Sequence, residues 1–277
     1  MTVFFNGQYM AKDQVRISPE DRGFLFADGI YEVIRSYDGK LFRTADHLAR
    51  MKRGLAALEI RGVDTDAIGA AAGELVRRND LTKGSATIYV QVSRGAAPRT
   101  HFFPDPPATP TVYASASALK PKGDPVRGVS VITVPDTRWA RCDIKSVSLL
   151  PNTLANEQAH KAGVIEAIFV RDGVALEGTS STFFAVVDGE LRTAPLNNYV
   201  LGSITRIVVL ELCRSAGLAY AETPVFVTDL PRASEMFLAS TTVEVMPITT
   251  VDGRPVGDGK PGPVARRLRD LFATQTS

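Results

Sequence analysis

The sequence predicts an α+β fold in two domains, and three observations carry that expectation. A chain of 277 residues is too long for a minimal domain and suits two modest ones. Four Asp-Gly pairs, Asp38-Gly39, Asp172-Gly173, Asp188-Gly189 and Asp252-Gly253, sit between β-rich segments. Such pairs supply the positive φ angles of tight turns, so each predicts an antiparallel hairpin. Amphipathic helical segments are interleaved with these hairpins. Leu48, Met51, Leu55 and Leu58 recur at three- and four-residue spacing and predict a helix over 45–60, with Gly62 as its stop. Ile68, Ala72, Leu75 and Val76 predict a second helix over 66–78, and β-rich runs follow at 86–93 and 111–118. Together these form an N-terminal α+β domain over 1–119. Lys120-Pro121-Lys122-Gly123-Asp124-Pro125 reads as an interdomain linker over 120–125, because its prolines and glycine obstruct regular structure. The C-terminal α+β domain, 126–277, is expected to hold a strand at 129–134, a helix near 151–162 and hairpins within 165–193. A helix at 204–216, a strand at 235–239, a hairpin around 252 and a helix from Pro263 complete it. No Gly-x-Gly-x-x-Gly follows a strand, which argues against a dinucleotide-binding fold.

Composition excludes several classes. A net charge of +2 without a basic block leaves no nucleic-acid or membrane footprint. Cys142 and Cys213 are the two cysteines, which gives no disulfide framework and fits a reducing cytosol. Asn6 and Gly7 interrupt the start before a signal-type apolar stretch develops, and no apolar run approaches the roughly 20 residues that span a bilayer. The expectation is a cytoplasmic protein acting on small molecules.

Two residues suggest which chemistry. Lys145 stands in Arg141-Cys142-Asp143-Ile144-Lys145-Ser146, and Glu177 opens Glu177-Gly178-Thr179-Ser180-Ser181-Thr182 in a bend between strands. A lysine amine condenses with an aldehyde cofactor, and pyridoxal phosphate also needs an acidic partner for its ring nitrogen. Either residue alone reads equally as an ordinary solvated side chain. Leu201-Gly202-Ser203-Ile204-Thr205-Arg206 leads into a helix whose N-terminal amides and Thr205 hydroxyl suit a phosphate, although Ser203 reads equally as a simple N-cap. Leu238-Ala239-Ser240-Thr241-Thr242 is a second small polar turn, able to bind phosphate or merely to turn. Arg99 and His101, one residue apart in a proline-rich loop, aim to the same side of an extended segment, where they would grip a carboxylate or form a solvated basic loop. His47 and His160 lie on predicted helices without neighbouring ligands, so no metal site is expected.

In their order and spacing these motifs are familiar. Glu20-Asp21-Arg22-Gly23-Phe24-Leu25-Phe26-Ala27-Asp28-Gly29-Ile30-Tyr31-Glu32-Val33, Arg94-Gly95 with Pro98-Arg99-Thr100-His101, the Lys145 and Glu177 motifs, Ile204-Thr205-Arg206 and Ser240-Thr241-Thr242-Val243-Glu244 span nearly the whole chain. The chain resembles the class IV (fold type IV) pyridoxal-phosphate aminotransferases and, within them, the bacterial D-amino acid aminotransferases. The resemblance implies a two-domain fold-type-IV enzyme that binds pyridoxal 5'-phosphate through Lys145, which also shuttles the proton. It implies that Glu177 pairs with the pyridine nitrogen, and that Arg50, Thr205, Ser240, Thr241 and the backbone at Ile204 hold the phosphate. Tyr31, Arg99 and His101 match the family's trap for the substrate α-carboxylate. In this family the Arg-x-His loop reaches in from a neighbouring subunit, so a homodimer is implied. The implied reaction is D-alanine with 2-oxoglutarate, giving pyruvate and D-glutamate. The alternatives within the fold are a branched-chain L-amino acid aminotransferase, an (R)-amine transaminase and 4-amino-4-deoxychorismate lyase; outside it stands a non-catalytic binding protein. Thr182, Ser203 and Leu149-Leu150-Pro151-Asn152 depart from the family pattern and bear on substrate range.

Overall fold

Turn chemistry decides much of the topology. In the computed structural model, which describes residues 1–276, the four Asp-Gly pairs that sit between β-rich segments have both residues at positive φ, such as 45° at Asp38 and 84° at Gly39. Each closes an antiparallel pair of strands. Asn6-Gly7, at 46° and 86°, is a fifth turn of the same kind.

The chain divides into two compact units, the first formed by Met1–Lys120 together with Ile144–Ser148. Its strands are β1 (Thr2–Phe5), β2 (Gln8–Ala11), β3 (Gly29–Tyr37), β4 (Lys40–Leu41), β5 (Ser85–Ser93) and β6 (Thr111–Ala118). They form one sheet in the order β2-β1-β6-β5-β3-β4, with every pairing antiparallel. A short helix α1 (Arg22–Phe26) precedes β3, and α2 (Thr44–Ala57) and α3 (Thr65–Arg78) follow β4. Asp64 caps α3 by accepting from the Asp66 and Ala67 amides at 3.0 and 2.9 Å, which satisfies N–H groups that the helix itself leaves unpaired. The periodic residues Met51, Leu55, Ile68 and Leu75 bury against Ile34 and Ile88 of the sheet in one core.

The second unit comprises Pro121–Asp143 and Leu149–Ser277. Its strands are β7 (Val129–Pro135), β8 (Glu166–Arg171), β9 (Val174–Gly178), β10 (Thr182–Val187), β11 (Glu190–Arg192), β12 (Tyr220–Ala221), β13 (Val225–Phe226), β14 (Glu235–Ser240), β15 (Glu244–Val251) and β16 (Arg254–Pro255). They form a mixed sheet in the order β12-β11-β10-β14-β15-β7-β8-β9-β13, with β16 beside β15. The parallel pair β7–β8 is joined through α4 (Leu150–Lys161), whose Ala155 and Ala159 pack on Val134, Ala167 and Phe169. Every residue of β10 is buried, so the strand is covered on both faces, and its Phe184 stacks on Phe237 of β14 with ring centroids 4.8 Å apart. Two further helices, α5 (Ile204–Ser215) and α6 (Pro263–Thr274), complete it. The buried Glu235 carboxylate caps α6, accepting from Val264 and Ala265 amides at 3.0 and 2.9 Å.

The first unit boundary falls at 120–121, within the segment 120–125 expected as the interdomain linker. Residues of that segment pack on the second unit: a Cβ on Gly123 would press on Ile165, Val129 and Met246 within 3.2 Å, and Arg269 donates to the Pro125 carbonyl at 2.7 Å. Lys145, expected in the C-terminal domain, belongs to the first unit, because its backbone is paired there.

Candidate active site

The pairing that captures Lys145 lies along the start of β3. The Tyr31 amide donates to the Lys145 carbonyl at 2.9 Å, the Val147 amide donates to Gly29 at 3.1 Å, and Ile30 forms an antiparallel bridge with Ser146. Ile144 is buried in the core of the first unit. Gly29 is needed at this crossing, since a Cβ would come within 2.5 Å of the Val92 carbonyl oxygen. Lys145 is half-buried, with Nζ 4.2 Å from the Tyr31 ring centroid. Two predicted residues, Lys145 and Tyr31, are thus brought together by backbone alone.

Arg50 is buried on α2, and its partner is one that sequence reasoning missed. Its Nε and Nη2 both reach Glu32 of β3 at 2.7 Å, a bidentate fork, and His47 Nδ1 lies 2.8 Å from the same carboxylate. Burial works to raise the Glu32 carboxyl, but the Arg50 guanidinium and His47 overcome it and bring it down to about 2 from its ordinary 4.5. Burial also lowers His47 below its ordinary 6.5. Both groups bind protons less tightly folded than unfolded, so each stabilises the native state at neutral pH and loses that contribution as pH falls. For Glu32 the loss runs from about pH 4.5 down to 2 and is worth roughly 3 kcal/mol. The melting temperature is therefore expected to fall on acidification, and Glu32→Gln to flatten the part of the curve below pH 4.5. A pH–melting profile of Glu32→Gln that keeps the wild-type acid limb contradicts this assignment.

Arg99 and His101 are exposed on one loop of the first unit, both close to Phe26 from α1. The Phe26 ring centroid is 5.2 Å from the Arg99 guanidinium carbon and 5.7 Å from the His101 ring. The Thr100 carbonyl between them accepts from Arg22 Nη1 at 2.8 Å. Arg22 and Arg94 are in turn fixed by Asp28 at 2.9 and 2.7 Å. Gly95 permits the chain to enter this loop: its φ is +97°, and a Cβ there would collide with Thr109.

In the second unit, Glu177 ends the buried face of β9. Arg138 Nη1 donates to its Oε1, and the Leu201 amide donates to Oε2 at 3.1 Å. Burial pushes the Glu177 carboxyl up, and the Arg138 guanidinium and the Leu201 amide oppose that rise. The turn after Glu177 is built on the buried Glu166 carboxylate, which accepts from Thr179 Oγ1 at 3.1 Å and from the Ser180 amide at 2.5 Å. Asn152, in a stretch that departs from the family pattern, secures the same turn by donating to the Thr179 carbonyl at 2.8 Å. At the start of α5 the Ser203 hydroxyl accepts from the Arg206 amide at 3.3 Å, so the N-cap reading is realised. Ile204 and Thr205 are buried in the first turn, whose leading amides have no partner within the helix. Ser240 and Thr241 lie at the turn out of β14, where Ser240 Oγ is 3.2 Å from Thr242 Oγ1.

Pyridoxal 5'-phosphate fits these residues. The phosphate is an anion suited to the α5 N-terminus and its Thr205 hydroxyl. Ser181 Oγ and Thr182 Oγ1 are buried without hydrogen-bond partners among the described residues, and Thr182 pairs with Glu177 across β9 and β10. Nothing lies within 4 Å of where a Gly202 Cβ would be, so the approach to the helix is open. No group of three or more His, Cys, Asp or Glu suited to a metal occurs among the described residues.

Comparison with known proteins agrees with the geometry. The model of the family described as amino-transferase class IV matches residues 29–251. The chain is 41% identical to the D-alanine aminotransferase of Staphylococcus haemolyticus over 272 residues, covering 98% of this chain and 96% of that protein. It is 41% identical to the D-alanine aminotransferase of Bacillus licheniformis over 271 residues, covering 97% and 95% respectively. Among solved structures, the T.th. branched-chain amino acid aminotransferase complexed with N-(5'-phosphopyridoxyl)-L-glutamate superposes with a TM-score of 0.88 at 26% identity, covering 99% of this chain and 94% of that one. The protein is thus a pyridoxal-phosphate enzyme of fold type IV. The chain belongs to the class IV aminotransferases.

Proposed function

We propose that this aminotransferase acts on D-amino acids such as D-alanine, with 2-oxoglutarate as acceptor, giving a 2-oxo acid and D-glutamate. The observation that carries this reading is the Arg99–Phe26–His101 arrangement. Two cationic or hydrogen-bonding groups held one residue apart on a pinned loop suit the α-carboxylate of an amino acid, which a simple amine lacks. The whole-length identity of 41% to two D-alanine aminotransferases supports the D series, against 26% to the branched-chain enzyme.

In this reading Lys145 holds the cofactor aldehyde through Nζ, Glu177 pairs with its ring nitrogen, and Arg50, Thr205, Ser240, Thr241 and the Ile204 amide hold its phosphate. Bound there, the cofactor supplies an aldehyde for the substrate amine and a ring that draws electrons from the adjacent carbon. Lys145 Nζ, once released, takes the proton from the substrate Cα and returns one in the second half-reaction. Glu177 remains a carboxylate so that positive charge is retained at the ring nitrogen. Tyr31, Arg99 and His101 orient the carboxylate and so select which face of the amino acid meets Lys145. Offered separately, D-alanine is expected to yield pyruvate and L-alanine to yield essentially none; faster pyruvate release from the L isomer would overturn the trap assignment.

A homodimer accompanies this proposal. Phe102 and Phe103 are 72% and 48% exposed beside His101, apolar surface suited to burial against a second copy. Sedimentation is expected to give about twice the 29.9 kDa chain mass, and a monomer at micromolar concentration would remove the shared-loop idea. A cytoplasmic location accords with Cys142 and Cys213 both being free and buried, and no helix among the described residues is long and apolar enough to cross a membrane.

A further inference from the structure

Glu177 is one end of a row of four buried or half-buried charges, and the motifs pointed to none of the other three. Arg138 directs Nη1 to Glu177 and forks Nε and Nη2 onto Asp136 at 2.9 and 3.0 Å, while Nη2 also reaches the Tyr199 carbonyl at 3.1 Å. Asp136 has a fully buried side chain and accepts in addition from Arg171 Nε at 3.1 Å; Arg171 Nη2 donates to the Arg138 carbonyl at 2.8 Å. The Arg138 guanidinium carbon lies 4.3 Å from the Phe169 ring centroid, so its flat face is packed as well as its edge. Charges alternate along the row, Arg171, Asp136, Arg138, Glu177, and cancel.

We propose that Arg138 is a positioning residue of this site: it keeps the Glu177 carboxylate charged and aimed, with Asp136 and Arg171 holding the guanidinium and balancing its charge. The proposal rests on the reading of Glu177 as the partner of the cofactor's ring nitrogen. A carboxyl buried this completely is driven toward its neutral form, and a neutral carboxyl cannot stabilise a cationic ring. Arg138 is the cation in contact with it, Asp136 lies behind Arg138, and the Cys142 thiol, pushed up to about 11 by burial, stays uncharged at neutral pH. An arginine standing alone would repel the ring charge that Glu177 is there to hold. The Asp136 fork removes that difficulty, because it neutralises Arg138 from the side away from Glu177.

The test reads Glu177 itself. Glutamate carboxyl carbons are labelled with 13C in the full chain, the Glu177 signal is assigned by its loss in Glu177→Gln, and its titration is followed with and without pyridoxal 5'-phosphate. Arg138→Met is expected to raise the Glu177 midpoint by at least about one pH unit, about a tenfold gain in proton affinity, and to weaken cofactor retention in dialysis about tenfold. Arg138→Lys, which keeps the charge but not the fork, is expected to recover part of both. Should Arg138→Met fail to fold, Asp136→Asn combined with Arg138→Gln removes both charges while keeping polar side chains at both positions and is expected to show the same raised midpoint. A Glu177 titration unmoved in any folded variant lacking the guanidinium overturns the proposal. Failure of the cofactor reading would show separately, as wild-type protein that forms no adduct at Lys145, whereas the Glu177 midpoint is measurable without cofactor.

Discussion

Lys145→Ala leaves a folded protein with no measurable transamination. In the proposed role the side chain supplies both the attachment point and the proton carrier, and positioned acid–base catalysis alone is worth about 10²–10⁴-fold. The fold is expected to survive because the segment is held by its backbone: the Lys145 carbonyl accepts from Tyr31, and alanine retains that carbonyl. Ile144 and Ser146 remain buried on either side. Pyruvate formation from D-alanine, together with the melting temperature, checks both halves. Turnover near the wild-type rate would refute the role assigned to Lys145, and loss of folded protein would refute the backbone account.

Arg50→Met is the second large effect, and it falls on stability as well as on the cofactor. Glu32 would remain in the core with His47 as its neighbour, and breaking a buried ion pair from one side costs about 3–5 kcal/mol. For a chain of this size that lowers the melting temperature by about 10 °C. Combining Arg50→Met with Glu32→Gln removes the stranded charge, so most of the stability is expected to return. Affinity for pyridoxal 5'-phosphate is not expected to return, because the phosphate contact proposed for Arg50 would be lost in both variants. If the double variant regains cofactor affinity, Arg50 is a structural residue and the phosphate assignment fails. Comparing single and double variants by calorimetry and by equilibrium dialysis separates the two roles.

The parts of the fold that were legible in the sequence are those encoded locally. Four Asp-Gly turns were legible because the pair tolerates positive φ and β-rich runs flank it on both sides, and the helices of α2 and α3 because their apolar residues repeat within one turn. Asn6-Gly7 carries the same turn signal, yet beside a short apolar start it reads only as an interruption. Helix α1 is too short to display a period, although Asp21 caps it by accepting from the Gly23 amide at 2.8 Å. The domain to which Lys145 belongs was not legible, since it depends on backbone pairing with Gly29–Tyr31, far away in sequence. Glu32 did leave a trace: a charged residue between Ile30 and Ile34 on the inward face of an alternating strand demands a buried counter-charge. Arg138 left none, because Asp136-x-Arg138 in an irregular segment looks like any solvated pair.

The short return of Ile144–Ser148 into the first unit has a consequence for how the protein can be made and divided. The chain passes between units three times, at 120–121, 143–144 and 148–149, so no single cut yields both halves intact. A fragment ending near residue 120 lacks Ile144, a buried side chain of its own core, and the backbone segment that pairs with Gly29–Tyr31. During synthesis the N-terminal half therefore stays unfinished until residue 148 has left the ribosome, and the last piece to arrive brings Lys145 with it.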